Sequence, residues 1–365
     1  MQNTILNTQE HIDIRAIEQA IAELWRSAAQ GDDQQSTAVT RTCVLNLLVI
    51  LHDGADVTDM IATLTDDFPS RAIVINVEAN EPAEGTPALE AWVQAHCQIP
   101  TPGRPHVCCE QISIVARGSA IEQVPGTVLP LLVPDVPVIL WYPYGSPFDD
   151  PLFERLGSMA DRAIVDTKTF ANQREGLRHM AARVGQQPDI SDLTWGRITL
   201  WREQIAQSFD SPILMPQLHS VTRLEICHTP KAQTQALLIM GWLASRLEWK
   251  LQEGGFGPEG GTLRLARKDD QLEASLGAYG MQTEHRRSAS VKIICETVTV
   301  QVIHDEHDQL LLTKIEATGK PTLQRRVPWK SSDQRALLAE ELRLPGHDRP
   351  YIEALQAATQ LLGDA

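Results

Sequence analysis

Residues 40–51 read TRTCVLNLLVIL, a nearly unbroken apolar run that ends at Leu51. A run without alternation fits a strand buried on both faces, as in a parallel sheet covered by helices. Residues 56–67 carry a helical pattern, Pro69 stops it, and a second apolar strand begins at Arg71 with RAIVINVE. Strand, helix and strand joined by short turns require parallel pairing through a right-handed crossover.

The alternation continues. ALEAWVQAHC (88–97) reads as a helix or a loop and helix, and HVCCEQISIVAR (106–117) alternates as a strand. IEQVPGTVLPLLVPD holds Pro125 and Pro130 and reads as a broken helix. VPVILWYP (136–143) is another buried strand, followed by a helix over 151–160 and a short strand over 163–167. Upstream, Ile14, Ile17, Ile21, Leu24 and Trp25 share helical spacing behind Asp13 as N-cap, and the polar stretch 31–37 is a connector.

Beyond residue 170 the pattern changes. Residues 171–210 read as mainly helical and 221–228 as a strand. A long helix over 232–252 carries Trp242 and Trp249. TLRLARK, SASVKIICETVTVQVI and QLLLTKIEA read as antiparallel strands with hairpin turns, and 333–362 as a final helix or helix pair. The expected fold class is α/β: an N-terminal, mostly parallel sheet with flanking helices, then a smaller α+β domain with antiparallel strands. The expected divisions are an N-terminal helix and connector (1–38), an α/β domain (39–210) and an α+β domain (211–365).

With 47 acidic against 32 basic residues, the formal net charge of −15 argues against a nucleic-acid partner. No apolar run approaches the roughly 18 to 20 residues that span a bilayer. The first 25 residues lack the pattern of a secretory signal, so the expectation is a cytoplasmic protein with no membrane partner. The six cysteines (43, 97, 108, 109, 227 and 295) show neither C-x-x-C nor a zinc-like pair of pairs. Cys43, Cys227 and Cys295 sit in apolar runs, where a thiol packs as a small hydrophobe.

Four stretches invite a functional reading. DLTWGRITLWR (192–202) places two tryptophans and two arginines within two or three helical turns, and those types dominate binding hot spots. Ile198, Thr199 and Arg202 fall on the Trp195 face, while Trp201 and Arg197 fall on another. Trp195, Arg197, Trp201 and Arg202 are therefore candidate partner-binding residues, with burial of the indoles the competing reading. FPSRA (68–72) sets Ser70 and Arg71 at a strand, where the arginine could clasp an anion or cover the sheet end. HDEHD (304–308) is dense in metal-ligand types but fits a hairpin turn, whose neighbouring side chains do not converge on one ion; no metal is expected. GGFGPEGG (254–261) follows a helix and precedes a strand, the reverse of a phosphate cradle, and reads as a mobile connection. No G-x-G-x-x-G follows the first strand and no G-x-S-x-G occurs, so neither a cofactor nor a catalytic residue is expected.

Six motifs occur in one order: TRTCVLNLLVI (40–50), FPSRAI (68–73), HVCCEQI (106–112), DVPVILWYP (135–143), AIVDT (163–167) and DLTWGRITLWRE (192–203). Together they resemble the OpcA family, glucose-6-phosphate dehydrogenase assembly proteins. The resemblance covers roughly residues 40–210 and extends more loosely beyond. It implies a non-catalytic partner that binds glucose-6-phosphate dehydrogenase, favours its active oligomer and supports the oxidative pentose phosphate pathway. The alternative is a sensor or enzyme for a small phosphorylated metabolite, with Arg71 and nearby strand ends as anion site at the carboxyl edge of the sheet.

Overall fold

In a computed structural model of the chain, strand β3 (Leu45–His52) is buried along almost its whole length. It lies at the middle of a sheet, between β4 (Ser70–Glu78) and β7 (Val138–Tyr142), and is parallel to both. The structure describes residues 4–6, 13–30, 39–41, 43–52, 54–64, 67–83, 88–97, 106–268, 270–278, 289–329, 333–344, 346 and 348–363. The chain divides into two units. One comprises residues 1–169, 185–191 and 338–344; the other comprises 170–184, 192–337 and 345–365.

The first unit holds β1 (Thr4–Leu6), α1 (Ile14–Gln30), β2 (Val39–Arg41), β3, α2 (Thr58–Leu64), β4, β5 (Leu89–Cys97) and β6 (His106–Arg117). A broken helix over 118–131 with α3 (Val124–Val128) at its centre, then β7, α4 (Pro151–Gly157), β8 (Arg162–Val165) and β9 (Asp189–Asp192) complete its principal elements. The sheet order is β1-β5-β6-β4-β3-β7-β8-β9, with β2 also on β6. Strands β2, β3, β4, β6, β7 and β8 pair in parallel, which needs crossovers, and α2 supplies the one from β3 to β4. Helix α1 starts as expected: Asp13 Oδ1 accepts from the Arg15 amide at 2.9 Å, and Ile17 and Ile21 are buried.

Residues 89–97 differ from expectation. They form a strand antiparallel to β6, not a helix. Leu89, Ala91 and Val93 are buried at a period of two, and that pairing outweighs the helix preference of Leu, Glu, Ala and Gln.

The second unit holds α5 (Gln173–Ala182), α6 (Leu193–Arg197), α7 (Thr199–Ser208), β10 (Val221–His228), α8 (Gln233–Leu247), β11 (Lys250–Glu253), β12 (Gly260–Arg267) and β13 (Asp270–Ala278). It continues with β14 (Ser290–Cys295), β15 (Val298–Asp305), β16 (Leu310–Ala317), β17 (Leu323–Pro328), the first four residues of α9 (Gln334–Leu342) and α10 (Arg349–Gln360). Its eight-stranded sheet runs β11-β12-β13-β10-β14-β15-β16-β17 and is antiparallel except at β10–β13. Helix α8 is apolar nearly all round because it lies against both β10 and α10. Gly241 allows the α10 approach: a Cβ there would overlap the Ala354 carbonyl oxygen.

Three further expectations change here. Trp249 lies beyond α8, which ends at Glu248 in the left-handed region with φ 57°. DQLEASLGA (270–278) forms a strand that its low β-propensity concealed; Leu272, Ala274 and Leu276 alternate inward. The glycine-rich loop is pinned rather than loose. Phe256 is fully buried, its amide donates to Leu361 O at 2.9 Å, and Arg174 Nη1 donates to its carbonyl at 2.6 Å.

Candidate functional site

Open α/β sheets receive ligands outside the carboxyl ends of their strands, where the strand order reverses. In the first unit that point lies between β3 and β7: the chain leaves β3 for β4 and β6 on one side, then returns to place β7 on the other. His52 ends β3, Tyr142 ends β7, and the two meet there. His52 Nε2 lies 3.0 Å from Asp150 Oδ2 and 3.0 Å from Tyr142 Oη. Asp150 is positioned as the N-cap of α4, its Oδ1 accepting from the Leu152 amide at 2.9 Å. The Phe153 ring packs edge-on against Tyr142, with centroids 5.7 Å apart.

Electrostatics locks this cluster. Burial alone would raise the Asp150 carboxyl, but hydrogen bonds from His52 and the Leu152 amide outweigh it and hold the group below the usual carboxylate range. Tyr142 is pushed well above the ordinary phenol value, first by burial and then by the neighbouring Asp150 charge. A carboxylate beside Nε2 calls for a hydrogen on that nitrogen, which makes Nδ1 the acceptor of the ring. An Asp-oriented imidazole is half of what general-base sites use. The turn after β3 carries a single glycine, Gly54 at φ 73°, where a dinucleotide loop needs three. The sequence signal for this cluster is a pair of polar residues closing two apolar strands, with an Asp-Pro helix start between residues 150 and 151.

Arg71 stands at the opposite edge. As the second residue of β4 it lies at the amino end of the parallel strands, not the carboxyl end expected for an anion site. It is 3% exposed, and its Nε and Nη1 donors serve the protein. Nε donates to Glu110 Oε1 at 2.6 Å, and Nη1 to Glu18 Oε1 at 2.9 Å and Leu131 O at 2.7 Å. Ser70 is buried too, its amide donating to Cys109 Sγ at 2.9 Å. With Nε and Nη1 bonded to two carboxylates and a backbone carbonyl, Arg71 is buried at the amino edge and does not sit at the carboxyl edge where the metabolite reading expects an anion site.

Residues 192–202 fold as α6 and α7 with a break at Ile198. Asp192 caps α6 by accepting from the Thr194 amide at 2.9 Å. Trp195 and Trp201 are buried, at 4% and 6% exposure. Trp195 Nε1 donates to Asp348 Oδ2 at 2.6 Å, its ring tilts against Tyr351, and the Arg202 guanidinium stacks over it at 3.6 Å. Trp201 meets Trp329 edge-on at 6.3 Å. The structure therefore joins Trp195 to Arg202 and sends Trp201 elsewhere. Of the four candidate residues, Arg197 and Arg202 are half-buried and reach solvent, while both indoles are buried.

HDEHD closes the β15–β16 hairpin. Asp305 Oδ1 accepts from the His307 and Asp308 amides at 3.0 and 3.1 Å, and His304 turns inward onto Trp329 with ring centroids 4.8 Å apart. Among the described residues no group of three His, Cys, Asp or Glu could hold a metal ion. Cys109, Cys227 and Cys295 are buried thiols outside any disulfide, and burial pushes the Cys295 thiol up to about 11. The side chains of Cys97 and Cys108 and the stretch 31–37 lie outside the described residues. No helix among the described residues is long and apolar enough to cross a membrane.

Two domain families described as belonging to a glucose-6-phosphate dehydrogenase subunit match this chain: the N-terminal domain over residues 62–182 and the C-terminal domain over residues 188–355. A protein of Synechocystis sp., named as an OxPP cycle protein, OpcA, is 31% identical over 198 residues, 54% of this chain and 40% of that protein. One of the same name from Nostoc punctiforme is 32% identical over 163 residues, 44% of this chain and 35% of that protein. The chain thus spans less than half the length of these relatives. A solved oxidoreductase of Sinorhizobium meliloti is 11% identical, with a TM-score of 0.43 over 87% of this chain and 86% of that one. Matched in order by both of these domains across most of its length, the chain belongs to the OpcA family.

Proposed function

We propose that this protein is a non-catalytic partner of glucose-6-phosphate dehydrogenase that binds the enzyme, favours its active oligomer and so supports the oxidative pentose phosphate pathway in the cytoplasm. The observation that carries this reading is the ordered match of residues 62–182 and 188–355 to the two domains of a glucose-6-phosphate dehydrogenase subunit. The sheet geometry supports it. At the strand-order reversal, His52, Tyr142 and Asp150 bond one another where a catalytic α/β sheet would present groups to a ligand.

The mechanism is differential binding. A protein that binds the active oligomer more tightly than the inactive form shifts the balance by that ratio, about 1.4 kcal/mol for each factor of ten. One that binds both forms equally shifts nothing. The test adds the purified chain to its cognate dehydrogenase and follows initial rates together with sizing chromatography. The expected outcome is a higher rate or a lower substrate requirement, with co-migration and a shift to a larger species. Unchanged kinetics without co-migration, or turnover of glucose-6-phosphate by the isolated chain, overturns the proposal.

A further inference from the structure

The second unit displays an apolar groove that its own chain leaves unfilled. On the inner face of its sheet, α7 covers β15 and β16 but ends at Ser208. The chain then turns through 211–214 and a short 3-10 turn, Met215–His219. The strand ends beyond α7 keep apolar side chains on that face: Val298, Ile315 and Ala317, with Leu323 opposite Ile315 in the register. Together with Ile213 and Leu214 they line a groove of about 380 Å³.

Exposure marks the same place. Among the described residues the second unit has three exposed large apolar side chains. Ile213 at 69% and Leu323 at 63% line the groove, and Met215 at 55% adjoins Leu214 of its wall. An apolar concavity rimmed by exposed aliphatic side chains is what protein-binding anchors fill. Charge narrows the occupant. The lining holds one charged residue, Lys320, and no carboxylate, and Lys320 makes no side-chain ion pair with any described residue. The occupant therefore brings apolar side chains together with an acidic group. A second copy of this chain, carrying −15, meets long-range repulsion on approach.

We propose that the groove between residues 211–217 and the β16–β17 end of the second unit is where the dehydrogenase docks, through a surface segment presenting apolar side chains and a carboxylate to Lys320. This rests on the function proposed above and assigns its interface.

The test measures affinity of the full chain for its cognate dehydrogenase by calorimetry. Compared with the wild type are the double variant Ile213→Asp/Leu323→Asp, the single variant Lys320→Glu and, as control, Val44→Asp at an exposed apolar position of the first unit. Circular dichroism checks folding. The double variant is expected to weaken binding by about tenfold or more and Lys320→Glu by a few fold, with a flatter salt dependence. Val44→Asp is expected to bind as the wild type does. If the wild type binds and the folded double variant binds equally well, the groove assignment is wrong while the proposed function stands. If the wild type does not bind, both fall. Should sedimentation show a wild-type dimer that the double variant dissociates, with dehydrogenase affinity unchanged, the occupant is a second copy and the assignment is overturned.

Discussion

The two sheets of this protein are built on opposite plans. In the first unit β3, β4, β7 and β8 are buried almost residue after residue, and the polar groups reaching the sheet edges bond one another. In the second unit β14 and β15 alternate buried and part-exposed positions, so one face is apolar and the other carries Arg223, Glu273, Arg264 and Lys292. A sheet covered on both faces holds its charges as internal locks, whereas a half-covered sheet has surface to offer a partner. The expected interactions divide accordingly. Substitutions at the locks change stability, and those at the groove change association.

The largest effect tests the first half of that statement. Arg71→Ala leaves Glu110 buried without the cation that faces it, and removing one partner of a buried pair costs about 3–5 kcal/mol. A loss of unfolding free energy in urea of less than a quarter of that would mean the pair is not a lock. Arg71→Met with Glu110→Leu should recover most of the loss, because no buried charge then remains. Next in size is Trp195→Phe, which keeps an aromatic ring beneath Arg202 but removes the indole donor to Asp348. The expected cost is about 1.5–3 kcal/mol, with dehydrogenase affinity unchanged in the folded protein. A loss of affinity at unchanged stability would return the tryptophan segment to the interface.

How far the sequence foretells this division depends on the kind of signal each element carries. The apolar runs at 45–51, 71–77 and 138–142 announce a covered parallel sheet, since nothing but double-sided burial calls for consecutive apolar residues. Leu89, Ala91 and Val93 mislead, because helix-favouring residues there obey a period of two imposed by β6. Arg71 suggests an anion site at the carboxyl edge, although strand direction places the start of β4 at the amino edge. Partners far away in sequence hide its real role: Glu110 and Leu131 are 39 and 60 residues distant. The tryptophans at 195 and 201 are the correct residue types for an interface, but local spacing says nothing of Asp348, Tyr351 or Trp329, which cover them. The groove leaves no local pattern at all, because its walls come from three separate stretches between 211 and 323.

A smaller effect belongs to the carboxyl edge of the first sheet. The Asp150 carboxyl is held below its ordinary value, so it binds its proton less readily in the folded chain than in the unfolded one. Its contribution is fully present above the unfolded carboxyl value of about 3.9 and is lost as pH falls through the folded value. Asp150→Asn keeps a helix-capping side chain but removes the charge facing His52. It should cost roughly 1 kcal/mol at neutral pH, and the gap from the wild type should close as the solution is acidified below about pH 4. A gap that stays constant across that range would show that the carboxylate charge is not what holds His52 and Tyr142 together.

The smallest expected effect sharpens the comparison from the other side. Arg223 and Glu273 face each other across β10 and β13 on the open face, 3.5 Å apart with both side chains about half exposed. An ion pair in that setting is screened by water and salt and must also order two long side chains, so its net worth is about 0–1 kcal/mol. Arg223→Ala is expected to change the unfolding free energy measured in urea by no more than that, and added salt should shrink even this difference. If the substitution instead destabilised the protein as strongly as Arg71→Ala, the open face would have to be a covered one. The contrast between a sheet that locks its charges inside and one that leaves a face to solvent would then fail at its simplest point.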